Sequence, residues 1–288
     1  VRALDMFDIL PDERCRELRE SLQITEKEIE RWDEVSRKLY LPLNDAGMMW
    51  QFEGYDELKE FDWEGYRERY DNIMRLDLIL EDEGDTPNAY KLSKQADVLM
   101  VFYLLPSTEV AALFERLGYD FDPEIIPTTI DYYLQRTSHG STLSGVVHAW
   151  VLARSARTGS WPLFLKALRS DIDDIQGGTT AEGIHLGAMA GSVDILLRCY
   201  TGLVLHGDEL RFHPVLPDEV TRLSFDLRYR GHSLTVDVTR EAMTLASVPV
   251  AAGEIAVTVR DRTIVLQPGE RKTVPLARPY PEGSSAET

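Results

Sequence analysis

The chain is 288 residues long, enough for one large domain or two ordinary ones. With 43% hydrophobic and 28% charged residues it can build a core, which excludes a disordered chain. The formal net charge of −18 argues against nucleic acid or an anionic membrane as a partner, so any bound anion must be held by local donors and not by a positive field.

In chain order, Pro11 to Leu22 reads as a short, highly charged helix. Thr25-Glu26-Lys27-Glu28 is a capping-box pattern, and Ile29, Trp32, Val35 and Leu39 follow at helical spacing until Leu41-Pro42 stops the helix. Asn44 to Asp62 reads as irregular and holds Trp50-Gln51-Phe52-Glu53-Gly54-Tyr55. Aromatics beside amide and carboxylate groups suit a sugar, and equally suit a loop pinned to the core by its rings. Glu81-Asp82-Glu83-Gly84-Asp85-Thr86-Pro87 reads as a solvated acidic turn, because the ordered ligand positions of a calcium loop are absent. Lys94 to Leu105 is apolar on most faces from Ala96 onward and reads as a buried helix whose first turn carries Lys94, Gln95 and Asp97. Helices follow over Thr108–Leu117, closed by Gly118, then over Pro123–Gln135, Val146–Arg157, Trp161–Ser170 and about Ala181–Tyr200. The last is rich in Gly and Ala, which lets another backbone come close.

The texture changes after Gly202. Arg222–Tyr229, Ser233–Arg240, Met243–Val248, Glu254–Val259 and Arg262–Leu266 are short runs of Val, Leu, Thr and Phe, several alternating with period two. Arg230-Gly231-His232 makes a hairpin turn. The pattern predicts a mainly α chain with a C-terminal all-β domain, a small antiparallel sandwich beginning near residue 209. The expected divisions are residues 1–202, 203–278 and a loose tail over 279–288. Cys15 and Cys199 give neither a disulfide framework nor metal-ligand spacing, which suits a reducing cytoplasm. Val1 to Leu10 carries Arg2, Asp5 and Asp8 where a signal peptide would be apolar, and no run is long enough to span a bilayer. The chain begins with Val and not Met, and reads as a fragment or a processed piece.

Two junctions between helices carry the chemistry. Arg136-Thr137-Ser138-His139-Gly140-Ser141-Thr142-Leu143-Ser144 offers hydroxyls, an imidazole and backbone N–H groups at a helix start, which is what phosphate needs. Alone it is equally a turn in which Ser141 or Thr142 caps a helix. Gln176-Gly177-Gly178-Thr179-Thr180-Ala181-Glu182-Gly183-Ile184-His185 has the same make-up, and two such junctions can converge on one small polar ligand.

Lys94-Gln95-Ala96-Asp97-Val98, the Arg136–Ser141 stretch and the Gln176–His185 stretch, in this order and before a β domain, resemble glycoside hydrolase family 65. The likeness runs from Arg31-Trp32 through Tyr229-Arg230-Gly231. The resemblance implies part of an (α/α)6 toroid followed by a small β-sandwich. It implies inverting phosphorolysis of an α-linked disaccharide of the maltose, trehalose or kojibiose type. It places Lys94 and Gln95 on the glucosyl unit, and Ser138, His139, Ser141, Thr179 and Thr180 on phosphate. It implies no metal and no cofactor, with inorganic phosphate as the co-substrate; a homodimer is the assembly considered for the full-length protein. Phosphate is already a nucleophile, so the reaction needs only one carboxylic acid, to protonate the leaving oxygen. In the family that acid is a Glu upstream of the Lys-Gln block by more residues than precede Lys94 here. Glu28, Glu53 and Glu83 sit in no matching motif, so the piece alone is expected to be inactive, with apolar surface exposed. Two other functions compete: an inverting hydrolase with Glu182 as base, and a non-catalytic carbohydrate-binding remnant.

Overall fold

The structure is a computed structural model that describes residues 10–155, 159–175, 178–206 and 209–276, with Thr179, Glu182 and His206 described by their backbone alone. The expected tail over 279–288 lies outside the described residues. Ten α-helices are described: α1 (Asp12–Leu22), α2 (Glu26–Lys38), α3 (Trp63–Arg69), α4 (Leu76–Asp82), α5 (Leu99–Leu104), α6 (Ser107–Leu117), α7 (Ile125–Leu134), α8 (Thr142–Ser155), α9 (Ser160–Arg169) and α10 (Leu186–Asp194). Eight strands follow: β1 (Val204–His206), β2 (Glu209–Phe212), β3 (Arg222–Tyr229), β4 (His232–Thr239), β5 (Ala242–Ser247), β6 (Ile255–Val259), β7 (Arg262–Leu266) and β8 (Arg271–Pro275). By contact density the chain divides into two compact units, Val1–Glu60 with Ala96–Gln135, and Phe61–Gln95 with Arg136–Thr288.

In the first unit α2 starts where the sequence says. The Glu28 N–H donates to the Thr25 hydroxyl at 3.3 Å and the Thr25 N–H donates back to the Glu28 carboxylate at 2.9 Å. The helix ends at Lys38, with Leu39 already extended, several residues before the stop expected at Leu41-Pro42. It packs on α6, and the Arg116 guanidinium ties the two by donating to Asp33 at 2.5 Å and to the Ser36 hydroxyl at 2.7 Å. α6 closes on Gly118 at φ +79°, a left-handed cap that favours glycine. The Trp50–Tyr55 stretch is held by aromatic packing. Trp50 meets Tyr55 and Tyr132 at ring separations of 5.5 and 5.4 Å, and Tyr55 is buried against Tyr133. Of the two readings open for this loop, the geometry favours the pinned one, with Phe52 left half exposed.

The second unit contains what periodicity missed and what it overstated. α3 and α4 are seven residues each and were not expected; they enclose a core of Phe61, Tyr66, Leu76 and Leu80. The acidic turn is not simply solvated. The Glu83 carboxylate accepts from the Tyr66 and Tyr70 hydroxyls and from Arg69 at 3.2 Å. α8 is buried from Ser144 through Leu152, packed between α9 and α10. A Cβ at Gly191 of α10 would lie 2.6 Å from Val146 Cγ1, so the close approach expected of the small-residue helix is made there. That helix starts at Leu186, not Ala181. Gly183 sits at φ +114°, ψ −170°, a conformation essentially reserved for glycine, and interrupts it. It continues past Asp194 as one π-helical stretch, Ile195–Cys199.

The strands form two four-stranded sheets, ordered β1-β2-β6-β7 and β3-β4-β5-β8. Both contribute to one core, with Leu210, Phe212, Val257 and Leu266 from the first and Leu234, Val236, Leu245 and Val274 from the second. Arg230 and Gly231 take positive φ, +48° and +82°, in the β3–β4 turn, as a tight hairpin requires. Every pairing is antiparallel except β2 with β6, which is parallel and departs from the purely antiparallel expectation. β1, β2 and β8 were not singled out from the sequence.

Candidate active site

Lys94 and Gln95 do not open a helix. They follow Ser93, whose N–H donates to the Arg136 carbonyl at 2.8 Å and whose carbonyl accepts from Ser138 N–H at 2.9 Å, a parallel bridge between Ser93 and Thr137. The bridge commits the backbone of residue 93 to an extended shape, so helix α5 begins only at Leu99. It also brings the Lys-Gln block against the Ser-His-Gly-Ser junction, two segments some forty residues apart in the chain. Gly140 makes the approach possible: a Cβ there would lie 2.4 Å from the Met74 carbonyl oxygen and 2.9 Å from Lys94 Cγ. The Lys94 ammonium donates to Asp77 at 3.1 Å, and Arg75 meets the same carboxylate. Burial works against that charge, but these hydrogen bonds hold the Asp77 carboxyl below the usual carboxylate range.

His139 occupies a left-handed backbone position, φ +57°. Its Nδ1 lies 3.0 Å from Ser144 Oγ, which lies 3.3 Å from Nδ1 of the fully buried His148. The His148 Nδ1 is also 2.8 Å from the Ser144 carbonyl, and a carbonyl only accepts. His148 therefore carries its proton on Nδ1, and the Ser144 hydroxyl is the hydrogen-bond partner of His139 Nδ1. Burial lowers the His139 pKa to about 3, with His148 and Lys166 adding to the effect. The ring is a neutral N–H donor at any ordinary pH.

The third block is wrapped around a carboxylate. Asp174, at φ +47°, accepts from the Gly178 N–H at 2.7 Å, the Thr180 N–H at 3.2 Å and the Thr180 hydroxyl at 3.1 Å. Asp171 accepts from the backbone and ring of His185, at 3.0 and 2.5 Å, and the imidazole holds its carboxyl below the usual range. Gln176, Gly177 and the side chains of Thr179 and Glu182 lie outside the described residues. Next to this loop is a small surface cleft, lined by His139, Ser141 and Thr142 of the junction, Lys166 of α9, and Met74 and Ile175. Lys166 was not picked out from the sequence, where it is one lysine on an amphipathic helix. Lys94, Gln95, Ser138 and Thr180 do not line the cleft, and Ser138 is buried beside the bridge. Of the three glutamates weighed as acids, Glu28 is engaged in its capping box and Glu83 with its tyrosines; those hydrogen bonds hold both below the usual carboxyl range and keep them ionised. Glu53 lies exposed in the other compact unit. Among the described residues no group of three His, Cys, Asp or Glu is placed to hold a metal ion, and no helix is long and apolar enough to cross a membrane.

The profile of the glycosyl hydrolase family 65 central catalytic domain matches residues 2–194, and that of the family's C-terminal domain matches residues 203–266. The chain belongs to glycosyl hydrolase family 65. An uncharacterized glycosyl hydrolase of Mycobacterium tuberculosis is 50% identical over 96% of this chain, which spans 21% of that protein. A trehalose 6-phosphate phosphorylase of Lactococcus lactis is 33% identical over 86% of the chain, covering 32% of its own length. A kojibiose phosphorylase of Caldanaerobacter subterraneus is 30% identical over 78% of the chain, covering 27% of its own. A solved structure from the human microbiome, whose description names a kojibiose phosphorylase, shares the fold. It has a TM-score of 0.71 at 20% identity, over 96% of this chain and 38% of that one. The helical part followed by a small, mostly antiparallel β domain is the family 65 arrangement. The chain thus spans between about a fifth and a third of these curated relatives.

Proposed function

We propose that this chain forms the phosphate side of an inverting α-glucoside phosphorylase acting on a trehalose-, kojibiose- or maltose-type disaccharide. The observation that carries the proposal is His139, a neutral imidazole hydrogen-bonded to Ser144 on the wall of a cleft it shares with Ser141. In the reaction, an oxygen of phosphate bonds to the anomeric carbon on the face opposite the leaving sugar. The glycosidic C–O bond breaks with its electron pair, and a carboxylic acid protonates the departing oxygen. The products are β-glucose 1-phosphate and a free sugar. A donor that stays neutral orients the phosphate without giving up a proton to it, so the nucleophile keeps its charge. Ser138, Thr179 and Thr180 join His139 and Ser141 as phosphate-binding residues, and Lys94 and Gln95 hold the glucosyl unit. In this structure the Gly178 and Thr180 donors are taken by the Asp174 carboxylate, so phosphate binding by the third block requires that carboxylate to give them up. We assign residues 1–202 to the catalytic domain and 203–278 to the β domain.

His139→Asn in the full-length protein tests the assignment, because Asn tolerates the left-handed backbone and keeps an acceptor near the Nδ1 position. A hydrogen bond to a charged group contributes roughly 1.5–3 kcal/mol. Phosphorolysis at low phosphate should therefore fall by about ten- to a hundredfold, with the KM for disaccharide little changed. Arsenate should replace phosphate in the unmodified protein and lose the same factor in the variant. A variant that keeps full phosphate use, or sugar release that ignores phosphate and collapses in Glu182→Gln, would establish a different reaction.

A further inference from the structure

We propose that Lys166 is the cation of the anion site, binding the phosphate co-substrate directly from helix α9. The inference rests on the phosphorylase reading and adds to it the one residue that supplies net charge. With His139 neutral, the junction residues that line the cleft, His139, Ser141 and Thr142, offer the dianion only uncharged donors, in a protein of net charge −18. Two cations near the blocks are already matched by carboxylates. Lys94 is paired with Asp77 at 3.1 Å, and Arg169, one turn from Lys166, is paired with Asp173 at 2.7 Å. Lys166 is different: among the described residues it has neither an ion-pair nor a hydrogen-bond partner. It lines the same cleft as His139, Ser141 and Thr142, and it is close enough to His139 to oppose protonation of the ring.

A half-buried ammonium with no counter-charge is costly, and folding would not retain it there without a compensating contact. Burial lowers the Lys166 pKa, and a phosphate dianion in the cleft would supply the missing charge and reverse that shift. The local geometry explains the placement. Gly145 of α8 faces Leu163 and Ala167 of α9, with an added Cβ 3.4 Å from each, so α9 lies close over the start of α8. Lys166 sits between those two contact residues in the chain, and all three line the cleft.

The test uses the full-length protein and its variants Lys166→Met and Lys166→Arg, with phosphorolysis followed at varied phosphate and varied disaccharide. Lys166→Met should raise the KM for phosphate by about ten- to a hundredfold and leave the KM for disaccharide within about twofold. Sulfate, an unreactive mimic, should lose potency as a competitor of phosphate by a similar factor. Lys166→Arg should recover most of the affinity, and the Tm of Lys166→Met should be no lower than that of the unmodified protein, because an uncompensated charge is removed. An unchanged phosphate KM, or equal losses for both substrates with a lowered Tm and no recovery by Arg, would overturn the role of Lys166 while leaving phosphorolysis intact. Phosphate-independent turnover by the unmodified protein would overturn the phosphorylase reading itself, and the role of Lys166 with it.

Discussion

His139 combines three constraints in one residue: a left-handed backbone, a largely desolvated ring and a hydrogen bond to Ser144. The burial has a consequence for stability. Its pKa in the folded protein, about 3, lies below the ordinary 6.5, so between those values the unfolded chain binds the proton and the folded chain does not. Stability present above about pH 6.5 is therefore lost as the pH falls through that window. His148, lowered chiefly by its own burial, acts in the same direction. Thermal unfolding between about pH 7 and about pH 4 should show a shallower acid decline for His139→Asn than for the unmodified protein. Identical slopes would mean that the ring titrates freely. The sequence shows that a histidine stands among serines; its charge state depends on its burial and on His148 and Lys166, which only the fold brings beside it.

At the scale of elements, α10 lies against α8 through Gly191. Gly191→Ala sets a methyl 2.6 Å from Val146 Cγ1 and should cost about 1–3 kcal/mol by overpacking. Val146→Ala in the same chain should restore part of the loss, giving a coupling measurable by a double-mutant cycle in denaturant. Additive effects would show that the two helices do not meet there. The long amphipathic and buried helices and the β3–β4 hairpin were legible because periodicity and turn chemistry are local signals. The short α3 and α4 were not, since two turns hold too few apolar positions to define a face. The start of α5 was misplaced because Ser93 pairs with Thr137, a contact that no window around residue 93 contains. The start of α10 was misplaced because Asp171 and Asp174 take up the backbone N–H groups of His185, Gly178 and Thr180.

For the molecule as a whole, the cleft draws on the 139–142 junction, on α9 and on Met74 and Ile175, with the Lys-Gln block packed against Gly140, and the strands beyond Gly202 build a core of their own. The order of the blocks was legible and carried the resemblance to family 65. The cleft wall contributed by α9 was not, because nothing in the sequence separates Lys166 from a surface lysine. The account stands on phosphate being the nucleophile. The direct measurement is phosphorus and proton NMR of the full-length protein with an α-linked disaccharide, in matched buffers with and without inorganic phosphate. The account predicts β-glucose 1-phosphate accumulating in step with loss of the disaccharide, and no turnover without phosphate. Free sugar released at the same rate in both buffers, with no sugar phosphate formed, would contradict it.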